Sequence, residues 1–140
     1  MIRFLCDTNV VLDFLLRREP WIAEARQLWR LHRNNRVEAC ITATTLTDVF
    51  YVSQRQLGLD AAWRSIHACL DSLSLIPVDY TMLRYASEMV GRDFEDNIQI
   101  ACAMAFEVDC IVTRDFDGFA KSPIPVVTPA AFLAEIVSPR

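Results

Sequence analysis

Ile2-Arg3-Phe4-Leu5-Cys6-Asp7-Thr8-Asn9-Val10 is the stretch that decides the fold. An apolar run reaches the carboxylate of Asp7 and two small polar residues, and Val10-Val11-Leu12 resume the apolar pattern. That order predicts a buried strand over residues 2–6, with Asp7 at its carboxyl end, and a helix over about 10–17. In open α/β sheets, ligands lie outside the carboxyl ends of the strands, near a change in strand order. Asp7 therefore stands where a binding carboxylate belongs. The simpler reading is a side-chain helix cap by Asp7 or Asn9, and it has to be weighed against the rest of the chain.

Outward from this stretch, short apolar runs alternate with helical patterns. Pro20 suits the first turn of a helix over about 21–32. Arg26, Arg30 and Arg33 share one side of it, read as a solvated face rather than an RNA track. A second strand is expected over 37–41, then a helix over 43–55 with Asp48 among its core residues, and another helix from Asp60. A strand over 75–78 carries Pro77, which suits an edge position. A helix follows over 80–90. Asp93-Phe94-Glu95-Asp96-Asn97 opens the next, whose remainder to Phe106 is almost wholly apolar and so expected to be buried on most sides. A strand over 110–113 again ends on polar residues, Arg114-Asp115. A strand over 125–127 and a helix over 129–137 close the chain. Strands alternating with helices predict an α/β fold, a three-layer α/β/α sandwich around a mostly parallel sheet.

The 140 residues fit one domain, 1–140, with a single core. No apolar run reaches the roughly 18 residues of a membrane span, and no signal peptide is visible. Cys6, Cys40, Cys69, Cys102 and Cys110 are odd in number, scattered, and mostly inside apolar runs. They form neither a zinc pattern nor a disulfide framework, and are read as buried free thiols in a reducing cytoplasm. The net charge of −4 argues against a protein that coats nucleic acid. Of the 14 basic residues all but Lys121 are Arg, the side chain whose fork binds phosphate bidentately.

Asp7 and Asp115 follow two strands, and Asp48 and Asp96 lie near the starts of two helices. In a parallel sheet all these places fall on one edge, so Asp7, Asp48, Asp96 and Asp115 can converge. Like charges so close would each tend to take up a proton. Mg²⁺ or Mn²⁺ relieves that conflict, since both prefer carboxylate and water oxygens.

With these residues in place, the chain resembles the PIN-domain family of metal-dependent ribonucleases. Asp7-Thr8-Asn9-Val10 is similar to the family's first acidic motif. Asp93-Phe94-Glu95-Asp96 with Ile98-Gln99-Ile100-Ala101 is similar to its third, and Thr113-Arg114-Asp115 to its fourth. The order and spacing match along nearly the whole chain. The resemblance implies an Mg²⁺- or Mn²⁺-dependent endoribonuclease, with Asp7, Asp96 and Asp115 as metal ligands and Asp48 as a fourth catalytic acid. It also implies an RNA substrate and a VapC-type toxin role with a cognate antitoxin. Separately, the excess of large apolar residues for a chain this short, Trp21, Trp29 and Trp63 among them, predicts a homodimer or the binding of an antitoxin segment through apolar surface.

Two places depart from the family pattern. Asp48 stands where the family usually has Glu, one methylene longer. Asp115 takes the place of an Asn, and Gly118 the place of a later Asp, so that Asp115 acts alone or shares its role with Asp117. Asp93 is read as the cap of the helix that carries Asp96. Thr8, Asn9 and Thr113 are expected to orient the acids or hold the loop. Arg114 either offsets phosphate charge or faces outward. His32 and His67 receive no chemistry.

A second function, of a different class, is a catalytically weak module that binds RNA or a protein without cleaving; Asp48 is the feature that keeps it open. A phosphatase of the haloacid-dehalogenase type fits poorly. It needs a second Asp two residues after the first, where this chain has Asn9, and the only lysine is near the C-terminus.

Overall fold

The computed structural model describes residues 1–91 and 93–137. Five strands form one sheet: β1 (Ile2–Cys6), β2 (Val37–Thr42), β3 (Ser74–Ile76), β4 (Cys110–Val112) and β5 (Val126–Val127). Their order is β3-β2-β1-β4-β5, and every neighbouring pair is parallel. Among the described residues, seven α-helices flank the sheet: α1 (Thr8–Leu15), α2 (Ile22–Arg33), α3 (Ala43–Leu57), α4 (Leu59–Ser72), α5 (Tyr80–Glu88), α6 (Phe94–Ala105) and α7 (Pro129–Val137). The chain steps outward from β1 through β2 to β3, then crosses to β4 on the other side of β1. The change in strand order therefore falls between β1 and β4.

The alternation of strand side chains divides the core into two layers. Phe4, Cys6, Ala39, Ile41, Cys110 and Val112 face a cluster closed by residues of α1, α2, α3 and α7, with Trp29 and Phe132 among them. Leu5, Cys40 and Ile111 face the opposite cluster, closed by α5 and α6. Trp29 stacks on Phe14 with ring centroids 4.0 Å apart. All five cysteines are buried and free, as their apolar surroundings suggest. No helix among the described residues is long and apolar enough to cross a membrane.

Most boundaries lie within a few residues of the expected ones. The largest shifts are at α1, which begins at Thr8 directly after its cap Asp7, and at β3, which stops at Ile76 before Pro77. β3 is an edge strand, as Pro77 suggested. Arg26, Arg30 and Arg33 are all exposed on α2. His32 is structural: Nδ1 accepts from the Ala39 backbone N–H at 3.0 Å and Nε2 meets the Ser72 carbonyl, joining α2, β2 and α4.

Candidate functional site

Asp7 lies at the carboxyl end of β1, beside the end of β4, where the strand order changes. Its backbone N–H bonds to the Val112 carbonyl at 3.0 Å, which locks that position. The side chain is buried and receives three donors. Oδ1 accepts from the Thr8 backbone N–H at 2.7 Å and from Gln99 Nε2 at 2.8 Å. Oδ2 accepts from Thr113 Oγ1 at 2.7 Å. A carboxylate offers about four lone-pair sites, so the remaining acceptor capacity lies on Oδ2. Asp7 is thus both the α1 cap and an oriented carboxylate; the two readings coexist.

Thr113 is fully buried and acts as the hub between the two strand ends. Its hydroxyl accepts from the Asp115 backbone N–H at 3.0 Å and from Asn9 Nδ2 at 3.4 Å while donating to Asp7. One hydroxyl thereby sets Asp7, Asn9 and the start of the Asp115 loop. Asp115 Oδ1 in turn accepts from the Asp117 N–H at 3.1 Å, and a single 3₁₀ turn follows over Asp117–Phe119.

α6 brings the next acids. Asp93 caps it, with Oδ1 accepting from the Asp96 N–H at 3.1 Å. Asp96 and Glu95 then fall in the first turn. Asp7, Glu95 and Asp96 each present an oxygen within 4.8 Å of the other two. Burial pushes the Asp96 carboxyl up to about 6, and the charges of Asp93, Asp7 and Asp115 add to the rise. Asp48 on α3 is also raised, by burial first and then by Asp93 and Asp7. Of the four acids expected at the site, Asp7 and Asp96 fall in this group, while Asp115 and Asp48 line two different clefts that also contain members of it. Asp115, Asp93 and Asp117 line a cleft of about 550 Å³ with Asp96. Asp48 lines a second, of about 580 Å³, with Asp7 and Glu95.

Gly118 explains how Asp96 fits. A Cβ placed there meets Asp96 Oδ2 at 1.9 Å and Cγ at 2.7 Å. The bare backbone at Gly118 makes room for the carboxylate.

The donor set suits a hard divalent cation. Three carboxylates at short range repel one another, and Asp96, raised first by its burial, is raised further by the neighbouring charges of Asp93, Asp7 and Asp115. Oxygen ligands alone match the preference of hard cations such as Mg²⁺, Mn²⁺ and Ca²⁺.

Two expectations change. Arg114 does not reach toward the carboxylates. Its Nε and Nη2 donate to Asp13 Oδ2 and Oδ1 at 2.6 and 3.1 Å, and its guanidinium lies 3.7 Å over the Trp21 ring. The buried Asp13 carboxylate captures it. Lys121, set aside for its place near the C-terminus, lines the 550 Å³ cleft with Asp96 and Asp115.

Three residues had not been singled out. Glu95 joins the acidic group, Gln99 is fully buried against Asp7, and Asp13 holds Arg114. The signals were an extra acid in a helix's first turn, and single polar residues inside apolar helical runs.

Comparison with known proteins follows the same outline. The sequence model of the PIN domain matches residues 3–117. The fold is similar to the DNA-bound VapBC of Salmonella typhimurium, with a TM-score of 0.70 at 18% identity over 92% of this chain and 99% of that one. It is similar to Mycobacterium tuberculosis VapC20, described as a toxin that cleaves the sarcin-ricin loop: TM-score 0.69, 14% identity, 84% and 93% of the two chains. A Klebsiella pneumoniae toxin–antitoxin complex gives 0.65 at 21% identity, over 89% and 96%. No curated protein matches the sequence closely enough to count as a relative.

Proposed function

This chain belongs to the PIN-domain family, and from that premise we propose that it is an Mg²⁺- or Mn²⁺-dependent endoribonuclease and the toxin of a toxin–antitoxin pair. The observation that carries the reading is the approach of Asp7, Glu95 and Asp96 to within 4.8 Å at the change in strand order. Asp7, Glu95 and Asp96 would hold the cation, and Asp115, which lines the adjoining cleft with Asp96, would be a further ligand. A bound cation supplies Lewis-acid chemistry, acidifying a water and offsetting charge on the phosphodiester.

The chain's own residues do the rest. Thr113, Gln99 and the Thr8 N–H fix the Asp7 carboxylate, so its free acceptor capacity points one way. Gly118 leaves Asp96 room beside Asp7. Asp48, on α3, lines the same cleft as Asp7 and Glu95 and would hold a water on that side.

The VapBC complexes with which this fold is shared motivate an antitoxin partner; a homodimer is the alternative use of exposed apolar surface. Leu57, Leu59, Trp63 and Leu70 are exposed at the α3–α4 hairpin, and contiguous exposed apolar surface of this kind marks association sites.

The test is cleavage of a mixed RNA pool with Mn²⁺, with and without chelator, by the wild type and Asp7→Asn. Cleavage confined to the wild type with metal supports the reading. No cleavage by folded, metal-loaded, antitoxin-free protein favours a binding module instead.

A further inference from the structure

The two clefts that leave the carboxylate group differ in charge. The one beside β4 has Lys121 against Asp93, Asp96, Asp115 and Asp117. The one beside α3 starts from Asp7, Asp48 and Glu95 and also carries Arg18, Arg55 and Tyr51. An anionic strand approaching the acids is repelled in the first cleft and met by guanidinium groups in the second.

α3 arranges this cleft by helical spacing. Asp48, Tyr51 and Arg55 stand at i, i+3 and i+7 and so share one face. Arg55 lies on the order of 10 Å along the axis from Asp48. It is exposed, with no ion-pair partner among the described residues. Arg18 touches Asp13 only loosely, at 3.8 Å. Tyr51 is 66% exposed. An aromatic ring this open, four residues before a free guanidinium, is placed for stacking on a base whose phosphate meets the Arg. Stacking of this kind requires an unpaired base.

We propose that the α3 cleft binds the single-stranded RNA segment next to the cleaved bond, with a base on Tyr51 and a phosphate on Arg55. This deepens the ribonuclease reading and rests on it. Both side chains are exposed, so their removal leaves folding intact.

The probe is a fluorescein-labelled single-stranded RNA 12-mer of mixed sequence, with the matching duplex as control. Binding is read by fluorescence anisotropy in the Asp7→Asn background with Mg²⁺, over a series of salt concentrations. Tyr51→Ala is expected to weaken single-strand binding at least about fivefold. Tyr51→Phe keeps it, and duplex binding does not respond to Tyr51→Ala. Arg55→Ala is expected to weaken binding and to lower the salt slope by about 0.7, the share of one phosphate contact on a single strand.

Parent-like affinities in both variants overturn the proposal, as does absence of binding by the parent. Loss on Lys121→Ala alone moves the strand to the other cleft and also overturns it. Loss of a co-expressed antitoxin by Tyr51→Ala, with RNA affinity unchanged, assigns the cleft to a protein instead. Mn²⁺-dependent cleavage separates the two readings. If Tyr51→Ala and Arg55→Ala cleave with wild-type KM while Asp7→Asn is inactive, the ribonuclease stands and the α3 cleft falls. If the wild type neither binds nor cleaves, both fall.

Discussion

Arg114 grips Asp13 through two hydrogen bonds, 2.6 Å from Nε to Oδ2 and 3.1 Å from Nη2 to Oδ1, and Asp13 is only 1% exposed. The pair ties the loop leaving β4 to α1. Arg114 stands between Thr113, which holds Asp7, and Asp115, so its anchorage fixes the backbone on both sides.

The first prediction follows from that burial. Arg114→Ala leaves the Asp13 carboxylate with only Arg18, 3.8 Å away. Removing one partner of a buried pair costs about 3–5 kcal/mol. The low end applies here, because Arg18 remains, and corresponds to a fall in Tm of roughly 10 °C. Arg114→Lys keeps the charge but not the fork and should fall between. Thermal unfolding by circular dichroism measures all three; an unchanged Tm in Arg114→Ala contradicts the role given to the pair.

Gln99 yields a prediction in which stability and metal binding part company. Its Nε2 donates to Asp7, while its Oε1 is buried without a partner. Gln99→Leu loses a hydrogen bond to a carboxylate but also removes an unsatisfied buried acceptor, two effects of similar size and opposite sign. The Tm should hold within a few degrees. Mn²⁺ affinity should fall about 10–100-fold, as for other groups that orient a metal ligand. Calorimetric titration with Mn²⁺ decides it, and an unaltered affinity removes Gln99 from the site.

Much of this was legible in the chain because apolar runs and helical patterns alternate cleanly, and a parallel sheet puts all strand ends on one edge. That topology alone brings Asp7, Asp48, Asp96 and Asp115 to one side. Glu95 was not legible, because successive helix residues diverge by about 100° and only one of Glu95 and Asp96 is expected to face inward. In the first turn, with α6 abutting the end of β1, both reach. Asp13 and Gln99 were hidden in apolar helical stretches, where their partners, Arg114 and Asp7, lie more than 90 residues away in sequence. Periodicity carries no information about such distant pairs.

Asp96 contributes a pH dependence to the metal-free protein. Its folded pKa is about 6, against an ordinary 3.8. Between these values the folded state holds more protons than the unfolded state, so stability falls as pH rises from about 4 to about 6 and is flat above. The raised Asp48 carboxyl acts in the same direction. The difference in Tm between Asp96→Asn and wild type, in chelator, should therefore be small at pH 4 and favour Asp96→Asn at pH 7. A difference independent of pH excludes this account.

Gly118→Ala tests the close approach to Asp96. The added methyl would sit 1.9 Å from Oδ2, so the carboxylate must rotate away. The side chain can move, and the loss of stability should be modest. The rise in Tm on adding Mn²⁺, which reports binding to the folded state, should shrink markedly. A full rise shows that Asp96 serves the cation equally well from another rotamer.

Asp48 separates an outer acid from an inner one. It lines the same cleft as Asp7 and Glu95 but is not among the oxygens within 4.8 Å of each other. Acting through water, its loss in Asp48→Ala should lower cleavage about 10–100-fold, whereas Asp7→Ala should fall to background. Asp48→Glu extends the carboxylate by one methylene toward the acidic group. Without metal, the added crowding of like charges should lower the Tm; with Mn²⁺, the extra ligand should enlarge the rise in Tm and raise the cleavage rate. The measurements are Tm in chelator and in Mn²⁺, and the rate on a mixed RNA pool. Equal losses in Asp48→Ala and Asp7→Ala put Asp48 among the direct ligands. A Glu at 48 that leaves the metal-free Tm, the Mn²⁺ rise and the rate all unchanged shows that the side chain does not face the cation at all.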